Sequence, residues 1–295
     1  MTTPLLSVRD LTIEFDTLIG RRRVVDRVSF DLMEGEVLGV LGESGSGKTV
    51  STLAILGLID GTPGVVDGQI LLRDGPQTVD LLAGLPGVLK GPPGEQQKNV
   101  RAWNRLVRQT MKARWGRVMT AVFQNPRASL DPLQTIGRQI DESIRLAHPA
   151  LGRDARRRKG IDWLDRVRLN QPARVYRAFG HELSGGMCQR AMIAIALARE
   201  PLILVADEPT TGLDSTVRSE IVELFRVLIE EEAKSMVYIS HDIREVLYLS
   251  TNIVVMRSGR VIEMTAADEI ASMKGQRAPY TQELLEAAGL VAGVQ

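Results

Sequence analysis

Long apolar runs, cysteines and net charge are all scarce in this chain, and each scarcity removes a class of protein. No apolar run reaches the ~18 residues that a membrane-spanning helix needs, and the start, Met1-Thr2-Thr3-Pro4-Leu5-Leu6, lacks the basic segment and apolar stretch of a secretion signal. Any service to a membrane is therefore expected from outside the bilayer. The single cysteine, Cys188, cannot close an internal disulfide or build a cysteine-ligated zinc or iron–sulfur site, which fits a reducing cytosol. Lys plus Arg number 37 against 36 Asp plus Glu. Without an excess of either sign there is no field to attract nucleic acid, so an anion site must be local. What remains, 44% apolar and 25% charged over 295 residues, describes an ordinary globular chain with one large α/β domain and extensions.

Residues 5–15 and 23–32 alternate apolar and polar side chains, predicting two half-buried strands joined through Gly20-Arg21-Arg22-Arg23 as an antiparallel entry sheet. Val37–Leu41 is a continuous apolar run of the kind a strand covered on both faces requires. Similar short runs recur at Val118–Phe123, Leu202–Ala206, Ser235–Ser240 and Ile253–Met256, with helical patterns between several of them, as in a mainly parallel core. Residues 132–147 and 154–168 have helical spacing and many charges without a strand of their own, predicting an inserted helical subdomain. Between Gly84 and Gln97 so many Gly and Pro residues crowd together that a surface loop without regular elements is expected. A strand pair beyond Gly259 and a short helix around Gln282–Ala288 form the tail.

Gly42-Glu43-Ser44-Gly45-Ser46-Gly47-Lys48-Thr49 fits the pattern G-x-x-x-x-G-K-[ST], between a buried strand and the helical Thr49–Ile59. Glycines let backbone N–H groups close around phosphate oxygens, Lys48 can reach the outer phosphates, and the Thr49 hydroxyl suits Mg²⁺. A plain strand-to-helix turn would not need Lys-Thr at this place. The loop alone does not separate kinases, GTPases, helicases and transport ATPases.

Leu202–Ala206 runs into Asp207-Glu208, and Pro209 stops the strand. A solvated turn is the ordinary setting for two acids, but adjacent acids at the mouth of a core strand are costly. In phosphoryl-transfer sites such a pair divides the work, Asp207 holding Mg²⁺ and Glu208 positioning the attacking water. His241, at the end of Met236–Ser240, is a third polar group at a strand end, suited to a γ-phosphate or to that water.

Leu183-Ser184-Gly185-Gly186-Met187-Cys188-Gln189-Arg190 resembles the signature motif of ABC-transporter ATPases. Ser184 with two glycines at a helix start makes an anion-binding terminus without bulky side chains, although an ordinary N-cap has the same composition. Order decides between them. The phosphate loop, Gln124, the Leu-Ser-Gly-Gly run, Asp207-Glu208, Gly212-Leu213-Asp214 and His241 succeed one another as the family's Walker A, Q-loop, signature, Walker B, D-loop and H-switch do.

The resemblance, from Leu6 to about Glu286, implies an α/β P-loop NTPase fold of the ABC-ATPase type: a mainly parallel core sheet, an antiparallel N-terminal β-subdomain and an inserted α-helical subdomain. It implies an ATPase domain over 1–265, with the helical insertion about 125–182, and a tail over 266–295 like the C-terminal extension of peptide importers. ATP and Mg²⁺ are the implied cofactors. Phe15 would stack on adenine, and Gly42, Ser44, Gly45, Ser46, Gly47, Lys48 and Thr49 would hold the phosphates. Thr49, Gln124 and Asp207 would face Mg²⁺, with Glu208, His241 and Lys48 catalytic. Ser184, Gly185 and Gly186 would complete the site of a second ATPase chain, identical or related, with Asp214 linking the two sites. The other implied partners are two transmembrane permease subunits and, through them, a solute-binding protein, with the chain peripheral on the cytoplasmic side of the inner membrane.

Within the family, Val122-Phe123-Gln124-Asn125-Pro126, Ser129-Leu130-Asp131-Pro132, His181–Met187 and Pro279-Tyr280-Thr281-Gln282-Glu283-Leu284-Leu285 are similar to the dipeptide, oligopeptide and nickel importer branch. The chain departs from it at Cys188, where the branch usually has Arg, at Gly212 for Ala, in the length of 84–97 and in lacking a C-terminal cysteine cluster. Peptides lead among expected solutes, with nickel, sugars and opine-like conjugates as alternatives. The rival class, a DNA-repair or translation-type ABC ATPase, would carry heptad coiled coils, zinc modules or tandem ATPase domains, none of which is in the sequence.

Overall fold

A computed structural model describes residues 3–92, 94–272 and 277–290. Pro93 in the Gly- and Pro-rich 84–97 segment, Met1-Thr2 of the start, and parts of the tail lie outside the described residues. The chain divides into two compact units, one of Met1–Ala113 with Val237–Gln295 and one of Arg114–Met236. The architecture is mixed α/β, as the motifs imply.

In the first unit the entry sheet has four strands in the order Gly20–Leu32, Leu6–Thr17, Pro63–Asp74, Gln77–Asp80. The expected hairpin is there, with Thr17 opposite Gly20 and Val8 opposite Phe30. Leu6, Val8, Leu11 and Ile13 are buried with Val25, Val28, Phe30 and Leu32, which accounts for the alternation. Pro63–Asp74 is a strand the sequence pattern does not show: a register shift between Thr12 and Ile13, which leaves Val66 as the extra residue on this strand, together with Gly68 at φ 104°, breaks the period that would reveal it. A second set of strands holds Val37–Leu41 parallel to Asn252–Arg257, which pairs antiparallel with Arg260–Ala266. Helix Ile243–Leu249 lies so close to this layer that a Cβ on Gly39 would come 2.4 Å from Val246 Cγ1.

The expectation of a structureless 84–97 segment is corrected. Pro86–Val88 forms a short 3-10 turn, and Leu89 and Lys90 pair antiparallel with Lys98 and Gln97. Gly91 at φ 109° and Gly94 at φ 90° turn the chain, so the residues read as breakers are what close a small hairpin. Helix Val100–Met111 follows, capped by the Asn99 side chain, which accepts from Ala102 N at 3.1 Å. It buries Trp103, Val107 and Met111 at i, i+4 and i+8.

In the second unit Met119–Val122 runs parallel to Ile203–Asp207, which is buried throughout. The two charged segments are helices, at Ile136–Ala147 and Arg153–Arg166. The first begins later than its periodicity suggests, because Asp131 folds its carboxylate back onto Leu133 N–H and the Gln134 amide. Ile136, Ile140 and Ile144 are its buried stripe. A Cβ on Gly160 would lie 3.0 Å from Ile140 Cγ2, so these helices meet at a position that needs a small residue.

Candidate functional site

The residues singled out from the sequence fall on both units. In the first, Val37–Leu41 ends at Gly42 and helix Lys48–Ile55 begins after Gly47, itself at φ 99° and without a capping side chain. Gly42 and Gly45 also have positive φ, 157° and 79°. A Cβ on Gly47 would approach Val24 O to 2.8 Å, and Ser46 O accepts from Gly259 N at 3.0 Å, so neighbouring strands hold the loop. Lys48, only 3% exposed, donates to Gly42 O at 2.6 Å and Glu43 O at 2.9 Å. Its ammonium thus sits among loop carbonyls that an anion can replace. The Ser46 hydroxyl is buried in this loop and has no hydrogen-bond partner. A buried hydroxyl left unpaired beside N–H groups at a helix start is a feature a phosphate would satisfy. Ser44 and Thr49 are exposed.

Phe15 stands opposite Arg22 and Pro63 near the end of its strand, half-exposed. A Cβ on Gly61 would come 2.4 Å from the Phe15 ring, so backbone covers part of the ring. His241 is exposed, directly after Ser235–Ser240. Its backbone is fixed by a network the sequence did not show. The hydroxyls of Tyr238 and Ser240 donate to Glu245 Oε2 at 2.8 and 3.0 Å, and Asp242 N donates to Ser240 Oγ at 3.0 Å. Tyr238 is wholly buried and Glu245 nearly so. The same unit places Tyr280 against the phosphate loop, where its hydroxyl accepts from Glu43 N at 3.0 Å.

In the second unit Gln124 is exposed just past Met119–Val122, and Asn125 caps the short helix after it, accepting from Ala128 N at 3.1 Å. Ser184 is the N-cap of Gly185–Leu197, its hydroxyl accepting from Met187 N at 3.3 Å. Asp214 caps Ser215–Glu232 in the same way, accepting from Val217 N at 3.0 Å. A Cβ on Gly186 would lie 2.8 Å from Val217 Cγ1, so Ser184–Gly186 and Asp214 are brought together at two adjoining helix starts. Cys188 is buried and donates to Gly180 O at 3.2 Å; burial raises its thiol pKa.

Asp207 closes its strand 6% exposed. At Glu208 the backbone turns into the left-handed region, φ 45°, a costly conformation for a residue with a side chain. Thr211 Oγ1 donates to Glu208 Oε2 at 3.0 Å. Among the described residues no three or more His, Cys, Asp or Glu side chains cluster to hold a metal ion. The oxygen donors of Thr49 in the first unit, and of Gln124 and Asp207 in the second, are each of the hard type that Mg²⁺ accepts. Among the described residues no helix is long and apolar enough to cross a membrane.

Comparison with known proteins identifies the family. The model of the family described as ABC transporter matches residues 25–211. The dipeptide transport ATP-binding protein DppD of Escherichia coli (strain K12) is 39% identical over 283 residues, covering 96% of this chain and 78% of that protein. A putative peptide import ATP-binding protein of Brucella abortus (strain 2308) is 39% identical over 286 residues, covering 97% of this chain and 77% of its own length. Both are transport proteins by name, which sets aside the repair or translation alternative. In structure the chain is similar to a dimeric bacterial ABC transporter cassette, with a TM-score of 0.68 at 24% identity over 89% of this chain and 98% of that one, a likeness of fold. The chain belongs to the ABC transporter family, as one of its ATP-binding subunits.

Proposed function

We propose that the chain hydrolyses ATP to drive import of dipeptides or short peptides. The observation that carries hydrolysis is Glu208, held at φ 45° at the mouth of a fully buried strand, next to buried Asp207. Positive φ also occurs at plain turns such as Ser258, so it is the acidic pair at the end of this buried strand that asks for an explanation. An ATPase gives one, since the two carboxylates must serve different atoms.

The roles follow from the chemistry of each group. Phe15 stacks on adenine and the 42–49 loop gives its N–H groups to the phosphates, with Lys48 leaving its carbonyl partners for the outer ones. Thr49, Asp207 and Gln124 are the residues that would hold Mg²⁺. When bound, that ion neutralises charge on the phosphate oxygens. Glu208 accepts a proton from the attacking water and orients it in line with the γ-phosphate, while His241 donates to a γ-phosphate oxygen. Ser184, Gly185 and Gly186 offer a helix start to the ATP of a second ATPase chain, identical or related, and Asp214 sits beside them. Closure on ATP and reopening after γ-phosphate loss would be passed by Gln124 and the helices after it to two permease subunits in the membrane, a solute-binding protein delivering the solute. The ATPase domain spans 1–265 with a helical insertion about 125–182, and a tail follows from 266.

The solute is supported by the names of the relatives that cover nearly the whole chain. The test is uptake of labelled dipeptide by cells with and without this chain. Loss of uptake that wild type restores and Lys48→Ala does not is the expected result; unchanged dipeptide uptake with the chain deleted refutes the solute.

A further inference from the structure

The segment Pro279–Leu285, quoted above for its likeness to peptide importers, was given no task, and the structure supplies one. Helix Pro279–Ala287 is fastened at its start by a single carboxylate. Glu263 Oε2 accepts from Ala278 N at 3.0 Å and from Thr281 Oγ1 at 2.5 Å, and its Oε1 accepts from Arg277 at 3.3 Å. A carboxylate there also answers the positive end of the helix. Thr281 is fully buried and Tyr280 is 3% exposed, so these are anchors. At the other end Arg244 donates to Ala288 O, and Leu284, Ala287 and Ala288 share a recess of ≈330 Å³ with His241.

Between these fixings Tyr280 reaches the phosphate loop. Its ring lies under the Arg257 guanidinium, 4.5 Å from ring centre to cation, and its hydroxyl accepts from Glu43 N. The peptide group joining Gly42 to Glu43 is held on both sides, its N–H by Tyr280 and its C=O by Lys48. For Lys48 to serve a phosphate it must leave Gly42 O, and Tyr280 is then a contact that keeps this peptide in place.

We propose that the helix Pro279–Ala287 is a strap that holds the phosphate loop ready for nucleotide, with Tyr280 as a positioning residue acting through Glu43 N–H. The proposal deepens the ATPase reading and rests on it for the hydrolysis half of its test. Tyr280 touches no reacting atom, so its removal changes affinity and leaves the chemical step alone.

The test uses the full chain with a fluorescent ATP analogue for Kd and steady-state hydrolysis for KM and kcat. Tyr280→Phe keeps the ring and its packing and deletes one hydrogen bond. Kd and KM should rise about 3- to 10-fold, the value of one such bond, with kcat changed less than about twofold. Glu263→Ala, which releases the start of the helix, should raise Kd likewise, and adding Tyr280→Phe to it should have no further effect. Thermal unfolding of each variant reads folding separately. Tyr280→Phe with wild-type Kd overturns the proposal, as does a fall in kcat at unchanged KM; fully multiplicative effects in the double variant overturn the strap. A wild-type chain that binds nucleotide without turnover refutes hydrolysis instead, and the Kd comparison still decides the strap.

Discussion

Removing the Glu245 carboxylate should damage both folding and turnover, because one buried oxygen holds the backbone on either side of His241. Tyr238 and Ser240 both donate to Oε2, and Ser240 in turn accepts from Asp242 N. Hydrogen bonds to a charged group contribute about 1.5–3 kcal/mol each. Glu245→Ala loses two, and recovers the cost of burying a charge, so the net loss is about 2–4 kcal/mol. A glutamine whose amide oxygen takes the place of Oε2 keeps both contacts and loses only the charge, so Glu245→Gln should cost about 1 kcal/mol. Urea unfolding at 25 °C reads these values. With Ser240 released, the His241 backbone is no longer fixed, and kcat should fall about tenfold or more in Glu245→Ala, equivalent to about 1.4 kcal/mol of barrier. Tyr238→Phe, which leaves the Ser240 contact in place, should lose stability without that fall in kcat. Wild-type stability and turnover in Glu245→Ala refute the reasoning, as does a Gln variant as damaged as the Ala one.

Two further perturbations follow from the first unit. Gly47→Ala puts a Cβ at φ 99° and 2.8 Å from Val24 O, so nucleotide affinity should fall at least about tenfold in a fluorescence titration. Hydrogen bonds from Arg260 first, and from Arg23, pull the Asp26 carboxyl below the usual carboxylate range. The stability this confers is full above the unfolded pKa of about 4 and is lost as pH falls through the lower folded value. Arg260→Ala should therefore flatten the loss of stability between neutral and acid pH, measured by unfolding across that range.

The elements that frame the candidate site were legible because their context lies within a few residues: a buried strand and a helix start around the 42–49 loop, a helix start at Ser184 and a buried strand before Asp207-Glu208. The antiparallel hairpin was legible through period-two burial. What the sequence hid was of two kinds. Pro63–Asp74 is masked by Gly68 and a register shift, and the 84–97 hairpin by the glycines that make its turn. The stripe Trp103, Val107, Met111 was present as a signal, diluted among basic and amide residues. The other kind is contact across long sequence distance: no local pattern reveals that Tyr280 meets Glu43, or that Glu263 receives three residues of the tail.

The central claim, that Glu208 is the group that activates water, is tested most directly by comparing wild type with Glu208→Gln in Mg-ATP, for hydrolysis and for dimer formation by size-exclusion chromatography. The account predicts that the variant binds ATP, loses turnover by a factor of about a hundred or more and accumulates as an ATP-bound dimer. Hydrolysis by the variant at the wild-type rate would contradict it.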